Sequence, residues 1–145
     1  EEVTTEGGLD IAREPARLRD GLARLKRAGV RTSLFIDPDV GAVQRSHDLA
    51  ADAIELHTGT YAHHPHDEQT LRALVDVANL GRTLGLAVHA GHGLTVRNVG
   101  PVAAIAAIEE LNIGHSIVSR AIFVGLAQSI AEMRAAMVVA RGAAR

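Results

Sequence analysis

Apolar positions along the chain follow two alternating spacings. From Pro15, Leu18, Leu22 and Leu25 step by four and three, which places them on one helix face. Gly29 is a natural stop for that helix. Thr32-Ser33-Leu34-Phe35-Ile36 is then a short strand. Asp37-Pro38 opens a second helix, with Asp37 as the expected N-cap and Pro38 in the first turn. Ala53-Ile54-Glu55-Leu56-His57 forms the next strand, and residues 58–66 a longer loop. Asp67 opens a helix with Leu71, Leu74, Val75, Ala78 and Leu80 on one side, closed by Gly85. Leu86-Ala87-Val88-His89 is a third strand, and residues 90–97 a glycine-rich loop before a helix that Asn98 can cap. Leu111-Asn112-Ile113 is a very short fourth strand, followed by helices over 116–124 and 126–140.

Four strand-then-helix units in one run imply an α/β fold with a parallel sheet and helices packed outside it. The 145 residues form one domain, with no linker, low-complexity tract or close repeat. Two architectures fit: an open doubly wound sheet, or part of a (β/α)₈ barrel. A complete barrel needs about 250 residues, so this chain supplies half of one.

Composition narrows the chemistry. The net charge is −2 and aromatics are 2% of residues, which leaves neither a basic field nor a stacking platform for nucleic acid. The absence of cysteine removes disulfides, thiolate metal sites and cysteine nucleophiles. No apolar run approaches the ~18 residues of a membrane span, and no signal peptide opens the chain, so a soluble cytoplasmic protein is expected. The single lysine, Lys26, lies among Arg17, Arg24 and Arg27 on the first helix, a solvated face without a Schiff-base role.

Polar residues gather at the C-terminal end of every strand, the edge that faces the ligand crevice in parallel α/β folds. Asp37 follows the first strand, Glu55 and His57 end the second, His89 and His92 the third, and Asn112, Gly114 and His115 the fourth. Glu55 alternates with Ile54 and Leu56, so it shares a face with His57 and projects away from the helices. A carboxylate there is either functional or paired with a neighbouring arginine. Glycines on both sides of His92 let the backbone approach a ligand and expose an imidazole able to move a proton near neutral pH. Asn112-Ile113-Gly114-His115-Ser116 leads into a helix N-terminus, which favours an anion, or is an ordinary turn capped by Ser116. His63, His64 and His66 sit in a polar loop and read as solvated rather than metal-binding.

Five blocks then carry a resemblance: EVTTEGGLD at 2–10, SLFID at 33–37, IELHTGTYA at 54–62, AGHGLT at 90–95 and ELNIGHSIVSRAI at 110–122. In this order and spacing they resemble the pyridoxine 5′-phosphate synthase family. The resemblance implies the C-terminal half of a (β/α)₈ TIM barrel, with four βα units as strands five to eight and residues 1–8 as an active-site loop after strand four. It also implies a condensation of 1-deoxy-D-xylulose 5-phosphate with 3-amino-2-oxopropyl phosphate. Pyridoxine 5′-phosphate, phosphate and water result, by acid–base chemistry without metal or organic cofactor. His92 matches the family's proton donor, and Glu55 the carboxylate that stabilises a transition state. Thr4 matches a ligand of the deoxyxylulose phosphate. Gly93, Gly114 and His115 match ligands of the amino-ketone phosphate. The expected partners are small phosphorylated substrates and, in the intact family enzyme, further copies in a homo-oligomer, with neither nucleic acid nor membrane.

Two local departures stand out. His89 replaces the family's usual asparagine, placing a second imidazole near His92, and Val96-Arg97-Asn98 replaces tyrosine-histidine-asparagine. The family's first three strand segments, with both proton acceptors, have no counterpart here. The expectation is therefore a C-terminal part of a longer protein that does not turn over alone and self-associates through unpaired sheet edges. The competing readings are a non-catalytic half barrel that binds phosphorylated metabolites, and a metal hydrolase using His57, His89, His92 and His115.

Overall fold

Alternation within the strands dictates how the sheet is covered. Leu34, Ile36, Ile54, Leu56, Val88 and Ala90 fall on one face, and all are buried. Of the intervening residues, Ser33, Phe35, Glu55, His89, Glu110 and Asn112 stay partly or fully open, while Ala53 and His57 are buried. One face therefore packs against helices and the other carries the polar groups.

The computed structural model describes residues 7–143. The elements run α1 (Pro15–Arg27), β1 (Ser33–Ile36), α2 (Val40–Asp48), β2 (Ala53–His57), α3 (Gly59–His63) and α4 (Glu68–Thr83). They continue β3 (Ala87–Gly91), α5 (Val99–Ala104), β4 (Glu110–Asn112), α6 (His115–Val124) and α7 (Leu126–Ala143). The strands are all parallel in the order β1-β2-β3-β4. A doubly wound sheet reverses its strand order at a switch point, and these four strands contain no reversal. The register aligns Ile36, Leu56, Ala90 and Leu111 in one row toward the helices. Val43 of α2, Leu74, Val77 and Ala78 of α4, and Val99 and Val102 of α5 complete that core. Each such aliphatic side chain contributes roughly 1.5–3 kcal/mol by leaving water. At the far end, Arg141 Nη1 reaches the carbonyls of Ala103, Ile105 and Ile108 at 2.9–3.1 Å and ties α7 to the end of α5.

Several local expectations are corrected. Asp39, not Asp37, caps α2, accepting from the Ala42 N–H at 2.8 Å. The Asp37 carboxylate instead accepts from the Gly8 N–H at 2.9 Å. The loop over 58–66 contains the short helix α3. β3 extends to Gly91, so its last two residues lie inside the span expected to be loop. Asn98 holds the N-cap position of α5, but its side chain turns back into the preceding loop. Ser116 lies within α6 and donates to Leu94 O at 2.6 Å rather than capping. No described helix is long and apolar enough to cross a membrane.

Candidate active site

Parallel strands bring their C-terminal ends to one edge, where Ile36, His57, Gly91 and Asn112 each hand the chain to a loop. A cavity of about 810 Å³ opens there. Glu55, His92, Gly93, Gly114 and His115 all line it, together with Phe35, Asn112 and Arg120. Thr4 lies outside the described residues.

Among the described residues Glu55 has no arginine partner. Its Oε2 accepts from Asn112 Nδ2 at 2.9 Å, so a side chain of β2 reaches one of β4 across the intervening strand. The residue beneath that bridge is Gly91. A Cβ there would stand 2.7 Å from both Glu55 Oε1 and Asn112 O, so a side chain on β3 would displace the bridge. The amide donor leaves the other carboxylate oxygen of Glu55 as an acceptor at the cavity.

His92 is held by its backbone. Its φ is 90°, a conformation that costs a non-glycine residue of order 1–3 kcal/mol. The buried Thr58 hydroxyl holds it there, sharing its proton between Gly91 O at 2.7 Å and His92 O at 2.5 Å. The Thr58 N–H also donates to Gly91 O at 2.8 Å. Gly93 follows at φ 73°, with Ala62 where its Cβ would be. Asn98 then closes the loop, accepting from the Thr95 N–H at 2.7 Å and donating to Gly93 O at 3.3 Å. Tyr61 Oη donates to Asn98 O at 2.7 Å. The outcome is an exposed imidazole on a rigid mount.

The imidazole packed on His92 is that of His57, with ring centroids 4.7 Å apart. His89, expected as the neighbour, lies lower on the sheet in register with Glu55 and Glu110. Burial pushes the His57 imidazole below its ordinary value. The charge of His92 adds to that, and Asp37 opposes it. At the far side of the cavity, α6 starts at His115 without a side-chain cap, which leaves its first N–H groups free for an anion. Arg120 is not free to serve there, since Glu132 holds it at 2.9 and 3.1 Å. Lys26 is exposed on α1. Among the described residues, no three histidine, aspartate or glutamate side chains are arranged to hold a metal ion.

A family model described as "Pyridoxal phosphate biosynthesis protein PdxJ" matches residues 1–139. The chain belongs to this family. A pyridoxine 5′-phosphate synthase of Rhodopirellula baltica is 51% identical over 136 residues, covering 92% of this chain and 55% of the relative. One of Synechococcus sp. is 51% identical over 137 residues, covering 93% and 56%. The PdxJ-family chain thus spans a little over half the length of these relatives. The crystal structure of an Amycolatopsis orientalis BexX/CysO complex superposes with a TM-score of 0.60 at 17% identity, over 87% of this chain and 49% of that one. At that identity the likeness is one of fold alone.

Asn112 as the partner of Glu55, Thr58 as the clamp on His92 and His57 as its neighbour were not assigned from sequence. The strand-end position of Asn112 and the alternation that puts His57 beside Glu55 were visible signals. Thr58 gave none, because its role depends on the crossing of two loops.

Proposed function

We propose that this chain forms strands five to eight of a (β/α)₈ synthase barrel, with residues 1–8 as the active-site loop after strand four. In that barrel it acts in the condensation that makes pyridoxine 5′-phosphate. The observation that carries this reading is the convergence of Glu55, His92 and the Gly114–His115 turn on one cavity. Sequential strand order and one polar sheet face support the barrel half.

His92 gives a proton to the reacting intermediate from its exposed mount. General acid catalysis of this kind contributes about 10²–10⁴-fold. Glu55 stabilises the cationic iminium character that develops when amine and ketone join. Gly93, Gly114, His115 and the open start of α6 cradle the amino-ketone phosphate, and Thr4 contacts the deoxyxylulose phosphate. The reading calls on no metal or organic cofactor. β1 and β4 each pair with one strand among the described residues, and Ile122, Phe123 and Val139 are exposed, which supports association with further chain.

The test is a chimera of the Rhodopirellula baltica synthase in which the matching segment is replaced by this chain. Product formation is expected from the chimera and none from the 145-residue chain alone. His92→Asn should lower kcat about a hundredfold or more, and Glu55→Gln about a hundredfold. A folded chimera that binds phosphate without turnover overturns the enzyme reading in favour of a metabolite-binding half barrel.

A further inference from the structure

His57 plays no part in the chemistry assigned above, yet it is enclosed directly beside His92. The residue is 7% exposed. Its Nδ1 lies 3.3 Å from Asp37 Oδ1, the oxygen that also accepts from the Gly8 N–H. Its Nε2 is buried without a hydrogen-bond partner among the described residues. Phe35 meets the ring edge-on at 5.4 Å. Beneath it is Gly59, where a Cβ would stand 2.7 Å from His57 Cε1 and Nε2, and 3.5 Å from His92 Cδ2. The remaining side is His92 itself.

We propose that His57 is a positioning residue for His92. Its ring, tied to Asp37 and wedged between Phe35 and Gly59, is the wall that fixes the His92 imidazole at the cavity mouth. A flat, locked neighbour removes rotamers from His92 that a solvated side chain would sample. An aliphatic residue could supply a wall, but it could not donate to the Asp37 carboxylate at the end of β1. Through that tether, the segment at Gly8 and the imidazole at His92 are parts of one chain of contacts. The inference rests on the proton-handling role proposed for His92, but the contact chain has consequences of its own.

Asp37 from the end of β1, His92 from the end of β3 and His63 from α3 are the titratable groups that act on His57. The titration of His57 therefore reports its contacts with Asp37 and with His92. Imidazole ¹⁵N NMR of the 145-residue chain between pH 4.5 and 8 reads this directly. Expected is a His57 midpoint below its ordinary value. His92→Gln should raise the His57 midpoint, and Asp37→Asn should lower it. Signals of His57 that ignore both substitutions overturn the contact chain. Where a variant does not fold, nuclear Overhauser contacts between the His57 and His92 ring protons of the unsubstituted chain decide the question, and their absence overturns the contact.

The positioning role is read in the active chimera. His57→Ala should lower kcat about tenfold to a hundredfold with KM little changed. His57→Phe, which restores the flat ring but not the Asp37 tether, should recover only part of that loss. Unchanged kcat in His57→Ala overturns positioning even where the His57 midpoint responds to His92→Gln. Unchanged kcat in His92→Asn instead overturns the catalytic reading beneath it, while the contact between the two rings stands.

Discussion

The two sides of the cavity are built in opposite ways. On the side of His92, every group is held by other protein groups: Thr58 clamps two carbonyls, Asn112 holds Glu55, and Asn98 and Tyr61 close the loop. A residue at φ 90° persists there because its neighbours over-determine it. On the side of Gly114 and His115, the helix start is exposed and uncapped. Its donors have no partner within their own helix until an anion arrives. Under the proposed reading, the geometry for proton transfer is built in advance and the contacts that bind a phosphate are left to the ligand.

Substitutions should separate the two sides. The largest effect is expected from Gly91→Ala, because the added Cβ meets the Asn112 backbone oxygen and Glu55 Oε1 at 2.7 Å. Backbone cannot swing aside, so a loss of about 3 kcal/mol is expected in urea unfolding. Thr58→Val comes next. It keeps the shape but strips the hydroxyl from two carbonyls in a fully buried position, for a loss of about 1.5 kcal/mol. An unfolding midpoint unchanged by Thr58→Val would remove the clamp from the explanation of His92.

The opposite side should respond in ligand binding and not in stability. His115→Ala is expected to weaken inorganic phosphate about threefold to tenfold by calorimetry. The unfolding midpoint without phosphate should stay where it was. A stability loss comparable with that of Thr58→Val would erase the contrast between the two sides.

The smallest effect is a pH dependence. His57 has its proton affinity lowered by burial and by His92 in the folded chain, and regains the ordinary value of 6.5 when unfolded. Between those two values the unfolded chain binds more protons. Stability attributable to this group is therefore complete above pH 6.5 and falls as pH drops through the lowered value. His57→Phe should flatten this slope in unfolding curves collected from pH 7.5 to 5.

Periodicity made most of the fold legible. Steps of three and four marked α1 and α4, and alternation marked β2, because burying one face imposes those spacings on any chain. End effects were less legible. Asp37 and Asp39 flank the same proline, and local sequence does not distinguish which aspartate caps the helix and which turns to Gly8. The candidate site was half legible for a related reason. Glu55 and His92 announce themselves as a carboxylate inside an apolar strand and an imidazole between glycines. Asn112 and Thr58 are ordinary polar residues until a neighbour thirty or more positions away is placed against them.

Taken alone, the sequence determined the order of elements, the single buried sheet face and the edge at which polar groups collect. Those properties follow from spacing and from the cost of leaving apolar surface in water. Tertiary structure alone decided which polar groups meet. The absence of a side chain at Gly91 lets Glu55 reach Asn112 across a strand. The absence of one at Gly59 lets His57 lie against His92. Both contacts depend on the distance between separate segments of chain, a quantity set by how the sheet and its loops pack.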